Sequence, residues 1–294
     1  MDSVLVIGAG FMGGGIAQVA AQSGYTVYLQ DVNPEAVAQT MQQVKWSTEK
    51  LAAKKKIIDG AKTVQDRIHV VKDLSIAPQC QWIIEGIYED RQLKNELFKD
   101  LDARCPVKTI IASNTSTIPI TVLAEGTAHP ERIVGLHFFG PVPIMQLVEV
   151  IKGEKTSISV FNKSVDFVKS LGKYPVKVMK EIPGFIMNRV NGAAFREALS
   201  LVEQGIATVE DIDQGMHYGF NWNIGPFQIA DNSGLDVSLR ARKQYRELGG
   251  IDLVSYDLIE KMVKAGRLGR KVGKGFYDYT PDGQMIPFDV TTLQ

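Results

Sequence analysis

Two groups of residues in this chain have types and spacings that chemistry can use. The first is a glycine turn. Val4-Leu5-Val6-Ile7 runs into Gly8-Ala9-Gly10-Phe11-Met12-Gly13 and then a helical pattern, and Asp31 follows Gly13 by 18 residues. Strand, turn, helix, second strand and acid in that order describe a dinucleotide site. Gly8 permits the tight turn, Gly10 lets the backbone approach a pyrophosphate, and Gly13 lets the helix pack close to the strand. The helix start offers N–H groups and partial positive charge to phosphates, with Phe11 and Met12 beside them as candidate cofactor contacts. Asp31, after a strand expected over 26–30, is placed to accept from ribose hydroxyls. A carboxylate there repels a 2′-phosphate and Val32-Asn33-Pro34 supplies no arginine to bind one, which favours NAD over NADP. The competing use of Asp31, as N-cap of the helix starting at Pro34, suits Asn33 better.

The second group is His137 with Glu149. Hydride transfer beside NAD needs a base for the alcohol proton, a partner to orient that base, and donors for the developing oxyanion. His137 ends an expected strand next to a Gly-Pro turn, at the edge where open α/β sheets bind ligands. With the turn centred near residues 142–144, Glu149 falls almost opposite on an antiparallel neighbour. A carboxylate on one imidazole nitrogen fixes the tautomer and supports the imidazolium. A hydrogen-bonded structural histidine explains the same spacing. His69, His129 and His217 lie in a strand, a loop and a helix without such a setting. Ser113-Asn114-Thr115-Ser116-Thr117 follows another strand and brings hydroxyls and amides to the same edge, Asn114 as a candidate cofactor contact, although these residues also suit capping of a helix near Pro119. Glu85, Glu89 and Lys94 straddle a strand-to-helix junction, where Glu89 or Lys94 can meet the nicotinamide ribose or form a solvated helix start.

The elements that must position these groups alternate. Strands are expected at 26–30, 68–71, 82–85, 109–113 and 133–139, with helices at 34–58 and 91–101, the rhythm of a Rossmann-like doubly wound sheet. The interval from 139 to a strand at 146–151 is too short for a crossover helix, so that strand is antiparallel, and 159–171 and 174–178 add a helix and a strand. From Pro183 onward helices dominate, at 186–204, 208–218, 226–246 with an interruption, and 253–265. The expected organisation is an NAD-binding domain over 1–182 followed by an all-helical domain over 183–294.

The composition sets limits. The 294 residues are 45% hydrophobic, and 33 Lys and Arg balance 33 Asp and Glu, so no global field recruits nucleic acid or a membrane. Cys80 and Cys105 lack metal or redox spacing, and no metal site is expected. The first strand carries no basic leader and no apolar run reaches the length of a membrane span, which points to the cytoplasm.

Several blocks together resemble the L-3-hydroxyacyl-CoA dehydrogenases of the short 3-hydroxybutyryl-CoA type. They are residues 8–17, the Glu-x-x-x-Glu of 85–101, 112–117, His137-Phe138-Phe139-Gly140-Pro141 with Leu147-Val148-Glu149, Pro183-Gly184-Phe185-Ile186-x-Asn188-Arg189, Gly225-Pro226-Phe227, and 269–279. The resemblance implies an L-3-hydroxyacyl-CoA substrate of the short-chain, 3-hydroxybutyryl-CoA type, with His137 as general base and Glu149 as its orienting partner. It implies that Ser116 and Asn188 bind the 3-oxygen or position the acyl chain, that Glu89 and Lys94 contact NAD, and that Ser47 and Lys54 hold the CoA nucleotide. It also implies a homodimer through the helical domain. The family's histidine block reads His-Phe-Phe-Asn-Pro, and Gly140 replaces that asparagine, implying a lost donor filled by a neighbour or water, or an altered pocket. The competing functions are a dehydrogenase of a non-CoA 3-hydroxy acid or polyol, as in carnitine and gulonate dehydrogenases, and a non-catalytic NAD-binding relative.

Overall fold

The computed structural model describes residues 2–247 and 256–293, in two compact units, Met1–Phe185 and Ile186–Gln294. The first unit runs β1 (Ser3–Ile7), α1 (Phe11–Gln22), β2 (Thr26–Gln30), α2 (Pro34–Ala53), α3 (Ala61–Asp66), β3 (Ile68–Val71), β4 (Trp82–Glu85), α4 (Arg91–Arg104), β5 (Ile110–Ser113), α5 (Ile120–Leu123), β6 (Ile133–Phe138), β7 (Leu147–Ile151), α6 (Ile158–Ser170) and β8 (Tyr174–Val178). Its eight strands form one sheet in the order β3-β2-β1-β4-β5-β6-β7-β8. Val4, Leu5, Val6, Ile83, Ile84 and Ile111 are all fully buried, the continuous apolar runs of a sheet covered on both faces. Trp82 stacks on Phe167 of α6 at 4.1 Å between ring centroids, fastening one of those covering helices. β7 pairs antiparallel with β6 and parallel with β8. The sheet is therefore the expected mostly parallel, doubly wound one with an antiparallel edge. Its order reverses between β1 and β4, which opens a crevice at the carboxyl ends of the strands.

The second unit contains α7 (Met187–Glu203), α8 (Val209–Phe220), α9 (Pro226–Ser233), α10 (Leu235–Glu247), α11 (Asp257–Lys264), β9 (Tyr277–Tyr279) and β10 (Met285–Pro287). Phe195, Phe227 and Phe276 meet in its core with centroids 4.7–6.0 Å apart. Two buried carboxylates hold its backbone. Asp213 accepts from the N–H groups of Phe227 and Gln228 at 2.9 and 3.1 Å, capping α9 from across the fold, and from the Tyr277 hydroxyl at 2.8 Å. Asp231 accepts from the N–H groups of Phe276 and Tyr277 and from the Tyr279 hydroxyl. The Gly225-Pro226-Phe227 block and the block ending at Tyr279 are thus the strands of chain that these two acids tie down.

Some elements depart from the sequence reading. The helix expected to reach Ile58 stops at Ala53, because Lys55 turns left-handed at φ 53° while Lys55 N–H and Lys56 N–H return to the carbonyls of Ala52 and Leu51. That is a Schellman closure without its customary glycine. The sequence does not signal α3 or the β9-β10 hairpin, and among the described residues the second unit is helical apart from that one short antiparallel pair. The interruption in 226–246 is Gly234, at φ 92°. The first residues of the helix expected at 253–265 lie outside the described residues, and α11 is its remainder. Asn33 caps α2 as expected, accepting from Glu35 N–H at 2.9 Å.

Candidate active site

At the crevice, the turn between β1 and α1 is closed by glycine-on-glycine packing: a Cβ on Gly13 would stand 1.8 Å from the Gly8 carbonyl oxygen. Gly8 itself holds φ at +104°, which few side chains tolerate. Nothing lies within 4 Å of where a Gly10 Cβ would be, no side chain caps the start of α1, and its first turn carries no acid. Open backbone N–H groups at a helix start with room before them suit a pyrophosphate. Asp31 Oδ2 accepts from Ala9 N–H at 2.6 Å and Oδ1 from Asn33 N–H at 2.8 Å. Each carboxylate oxygen keeps accepting capacity for ribose hydroxyls. The residues present therefore fit an NAD.

His137, on β6, sits directly opposite Glu149 on β7. Its Nδ1 is 2.7 Å from Glu149 Oε2, with the His137 side chain 8% exposed and Glu149 fully buried. A carboxylate only accepts, so Nδ1 carries the hydrogen and Nε2 presents the lone pair. The rings of Phe139 and Phe185 stand 4.6 and 5.8 Å from the imidazole and keep its surroundings apolar. In such a setting the ion pair formed on protonation of Nε2 is stronger than it is in water.

A chain of charges runs from beneath the sheet edge to the loop after β5. Glu85 is fully buried at the end of β4, where its Oε1 accepts from Ile87 N–H and from the Lys94 ammonium, each at 2.7 Å, and its Oε2 from the Ser113 hydroxyl at 2.7 Å. Lys94, equally buried, reaches Glu89 Oε2 at 3.0 Å. Glu89 Oε1 then accepts from the hydroxyls of Thr115 and Thr117, at 2.5 and 3.0 Å, and from Ser116 N–H at 3.2 Å. Burial would raise the Glu89 carboxyl, but Lys94 and the two threonine hydroxyls together hold it below its ordinary value. Beside this loop, Asn114 Oδ1 accepts from Phe138 N–H at 2.8 Å, joining the ends of β5 and β6.

A nucleotide turn, a buried histidine-carboxylate pair and a loop of hydroxyls thus stand on one sheet edge. Residues 3–182 match the NAD-binding domain model of 3-hydroxyacyl-CoA dehydrogenase, and residues 184–279 match its C-terminal domain model. The chain belongs to the 3-hydroxyacyl-CoA dehydrogenase family. It is 43% identical over 275 residues to the probable 3-hydroxybutyryl-CoA dehydrogenase of Deinococcus radiodurans, covering 93% of this chain and 99% of that one. It is 40% identical over 285 residues to the mitochondrial hydroxyacyl-coenzyme A dehydrogenase of Homo sapiens, covering 94% and 90%. The crystal structure of (S)-3-hydroxybutyryl-CoA dehydrogenase PaaH1 from Ralstonia eutropha superposes with a TM-score of 0.87 at 38% identity, covering 95% and 99%.

The other sequence-selected residues of this 3-hydroxyacyl-CoA dehydrogenase chain lie on elements of both units. Ser47 lies on α2, its Oγ accepting from Gln18 Nε2 at 3.0 Å, and Lys54 is exposed at the end of the same helix. Asn188 is exposed near the start of α7 in the second unit. Lys94, expected as a direct cofactor contact, has its ammonium sealed among Glu85, Glu89 and the Ile87 carbonyl. Sequence reasoning missed Lys173, which is buried and donates to the carbonyls of Val142 and Met145 at 2.7 Å, clamping the turn after His137. A lysine just past a helix end reads as solvated, so no sequence signal marks it. His129 pairs with Glu131, and His217 Nδ1 meets the Trp222 carbonyl oxygen. Cys80 and Cys105 are buried free thiols, and burial pushes Cys105 up to about 11. Among the described residues no cluster of three or more His, Cys, Asp or Glu could hold a metal, and no helix is long and apolar enough to cross a membrane.

Proposed function

We propose that this chain interconverts an L-3-hydroxyacyl-CoA of the short-chain, 3-hydroxybutyryl-CoA kind and the corresponding 3-ketoacyl-CoA, with NAD as the hydride carrier. The observation that carries this reading is the buried His137-Glu149 pair at the carboxyl edge of a sheet whose glycine turn fits NAD. The glycine turn and Asp31 would hold NAD, which would supply the hydride acceptor or donor for C3 of the substrate. His137 Nε2 takes the 3-hydroxyl proton during oxidation and returns it during reduction. Glu149 holds the ring in the productive tautomer and balances the imidazolium. The Ser116 hydroxyl, which makes no hydrogen bond among the described residues, donates to the 3-oxygen, and Glu89 keeps its loop in place.

Gly8, Gly10, Phe11, Met12, Gly13, Asp31, Glu89 and Asn114 form the cofactor side. Asn188 is given a role toward the substrate, and Ser47 and Lys54 a role toward the CoA nucleotide, on the family pattern. The helical unit exposes Ile206, Tyr218 and Phe220, and we assign it the contact of a homodimer. Sedimentation at micromolar concentration checks this, with a fully active monomer as the contrary result. The cytoplasm, where buried free thiols stay reduced, is the proposed location.

The test is NADH consumption with acetoacetyl-CoA beside free acetoacetate. Turnover of the thioester at least a hundredfold above the free acid, about 2.7 kcal/mol of recognition, is expected. Equal turnover would transfer the assignment to a non-CoA dehydrogenase, and none with either would leave a binding protein.

A further inference from the structure

We infer that Phe11 and Gly140 form one element that sets acyl selectivity and admits apolar acyl groups larger than the four-carbon unit, an inference that rests on the 3-ketoacyl-CoA reading above. Gly140 stands three residues past His137, so it lies within about 10 Å of the base along the backbone. A Cβ at Gly140 would come 2.6 Å from Cε1 of the Phe11 ring and 3.3 Å from Met12 Sδ. A side chain at 140 and the Phe11 ring in its present place are therefore alternative occupants of one space. Where the family block has an asparagine amide, this chain seats an aromatic ring.

The surroundings of the ring are apolar as well. Residues 139–145, Phe-Gly-Pro-Val-Pro-Ile-Met, carry no polar side chain. Phe11 and Ile144 are each 65% exposed and Met145 is 40% exposed. Lys173 fixes this loop through the Val142 and Met145 carbonyls, so its apolar side chains are held in position rather than free to collapse inward. An acyl chain extending from a C3 held at His137 Nε2 is the apolar part of the proposed substrate, and covering an exposed ring with it removes apolar surface from water on both sides. The unbranched acyl tail is thus the occupant whose chemistry suits the rim. A polar or charged substituent would lose hydration there without a partner.

The pair is tested by comparing wild type with Gly140→Asn, Phe11→Thr and the double variant Phe11→Thr/Gly140→Asn. Two quantities are read: NADH dissociation constants, and kcat/KM for a ladder of unbranched 3-ketoacyl-CoAs from four to ten carbons. Wild type should gain up to about fourfold per added methylene over the first steps of the ladder. Gly140→Asn alone should lose at least tenfold on the longer members, because its side chain displaces the ring. In the double variant the gain with chain length should disappear, and the loss on the longer members should be smaller than the product of the two single losses, a coupling that independent sites do not show. Additive losses, or a chain-length ladder unchanged in the double variant, would overturn the proposal. Coupling confined to NADH affinity would also overturn it, since the ring would then serve the cofactor. Failure of wild type to reduce any acyl-CoA would instead refute the functional reading on which the pair depends.

Discussion

Ala9 donates its backbone N–H to Asp31 Oδ2 at 2.6 Å, so the glycine turn after β1 and the acid after β2 are one hydrogen-bonded piece. Asp31 therefore has two duties: it shapes the turn and it faces the ribose. Asp31→Ala should raise KM for NAD by roughly tenfold to a hundredfold, the worth of hydrogen bonds to a charged group, with kcat within about threefold. NADP should be at least tenfold poorer than NAD in kcat/KM with the wild-type protein, since Val32-Asn33-Pro34 after the carboxylate supply no arginine. Steady-state kinetics with both cofactors check this, and equal efficiency would remove Asp31 from the selectivity account.

Glu89 predicts a pH dependence. Its folded-state value lies below its ordinary value, so the stability it contributes is complete above the ordinary value and is lost as pH falls through the folded one. Glu89→Gln should cost about 2 kcal/mol at pH 7, because the new amide would direct a donor at the Lys94 ammonium. The difference in melting temperature between wild type and variant should then shrink below pH 4. A difference that stays constant from pH 7 to pH 3 would show that the charge of Glu89 is not what holds the Thr115-Ser116-Thr117 loop.

Asp213→Ala should strip the Phe227 and Gln228 N–H groups and the Tyr277 hydroxyl of their common acceptor. At about 1 to 3 kcal/mol for a buried donor left unpaired, the loss should lower the melting temperature by several degrees or more. Asp213→Asn, which keeps one acceptor oxygen, should recover part of it. A melting curve indistinguishable from wild type for Asp213→Ala would mean the acid does not secure α9.

The site was legible where one short stretch of chain encodes it. The β1 run, its glycines and Asp31 specify their own geometry, and the turn at 142–144 alone fixes the register that sets His137 against Glu149. The chain of charges through Glu85, Lys94 and Glu89 was only half legible. Glu85, Glu89 and Lys94 could be singled out at a strand-to-helix junction, but their burial depends on β5 bringing Ser113 beside Glu85, a pairing that spans 28 residues. Lys173, the Arg132-Asp102 pair buried at 2.6 Å, and the fit of Phe11 over Gly140 all join distant positions, and local pattern carries no trace of them. The end of α2 escaped for a different reason: a lysine occupies the left-handed position where a glycine would have announced the stop.

The most direct test of the central claim is a double-mutant cycle of His137→Gln and Glu149→Gln, followed by NADH-linked reduction of acetoacetyl-CoA with folding verified by circular dichroism. Each single variant should lose about two to four orders of magnitude in kcat, and the double variant should lose little more than the worse single one, because residues that act as one unit are not additive. Strictly additive losses, or a His137→Gln enzyme that keeps more than a tenth of wild-type kcat, would contradict the account.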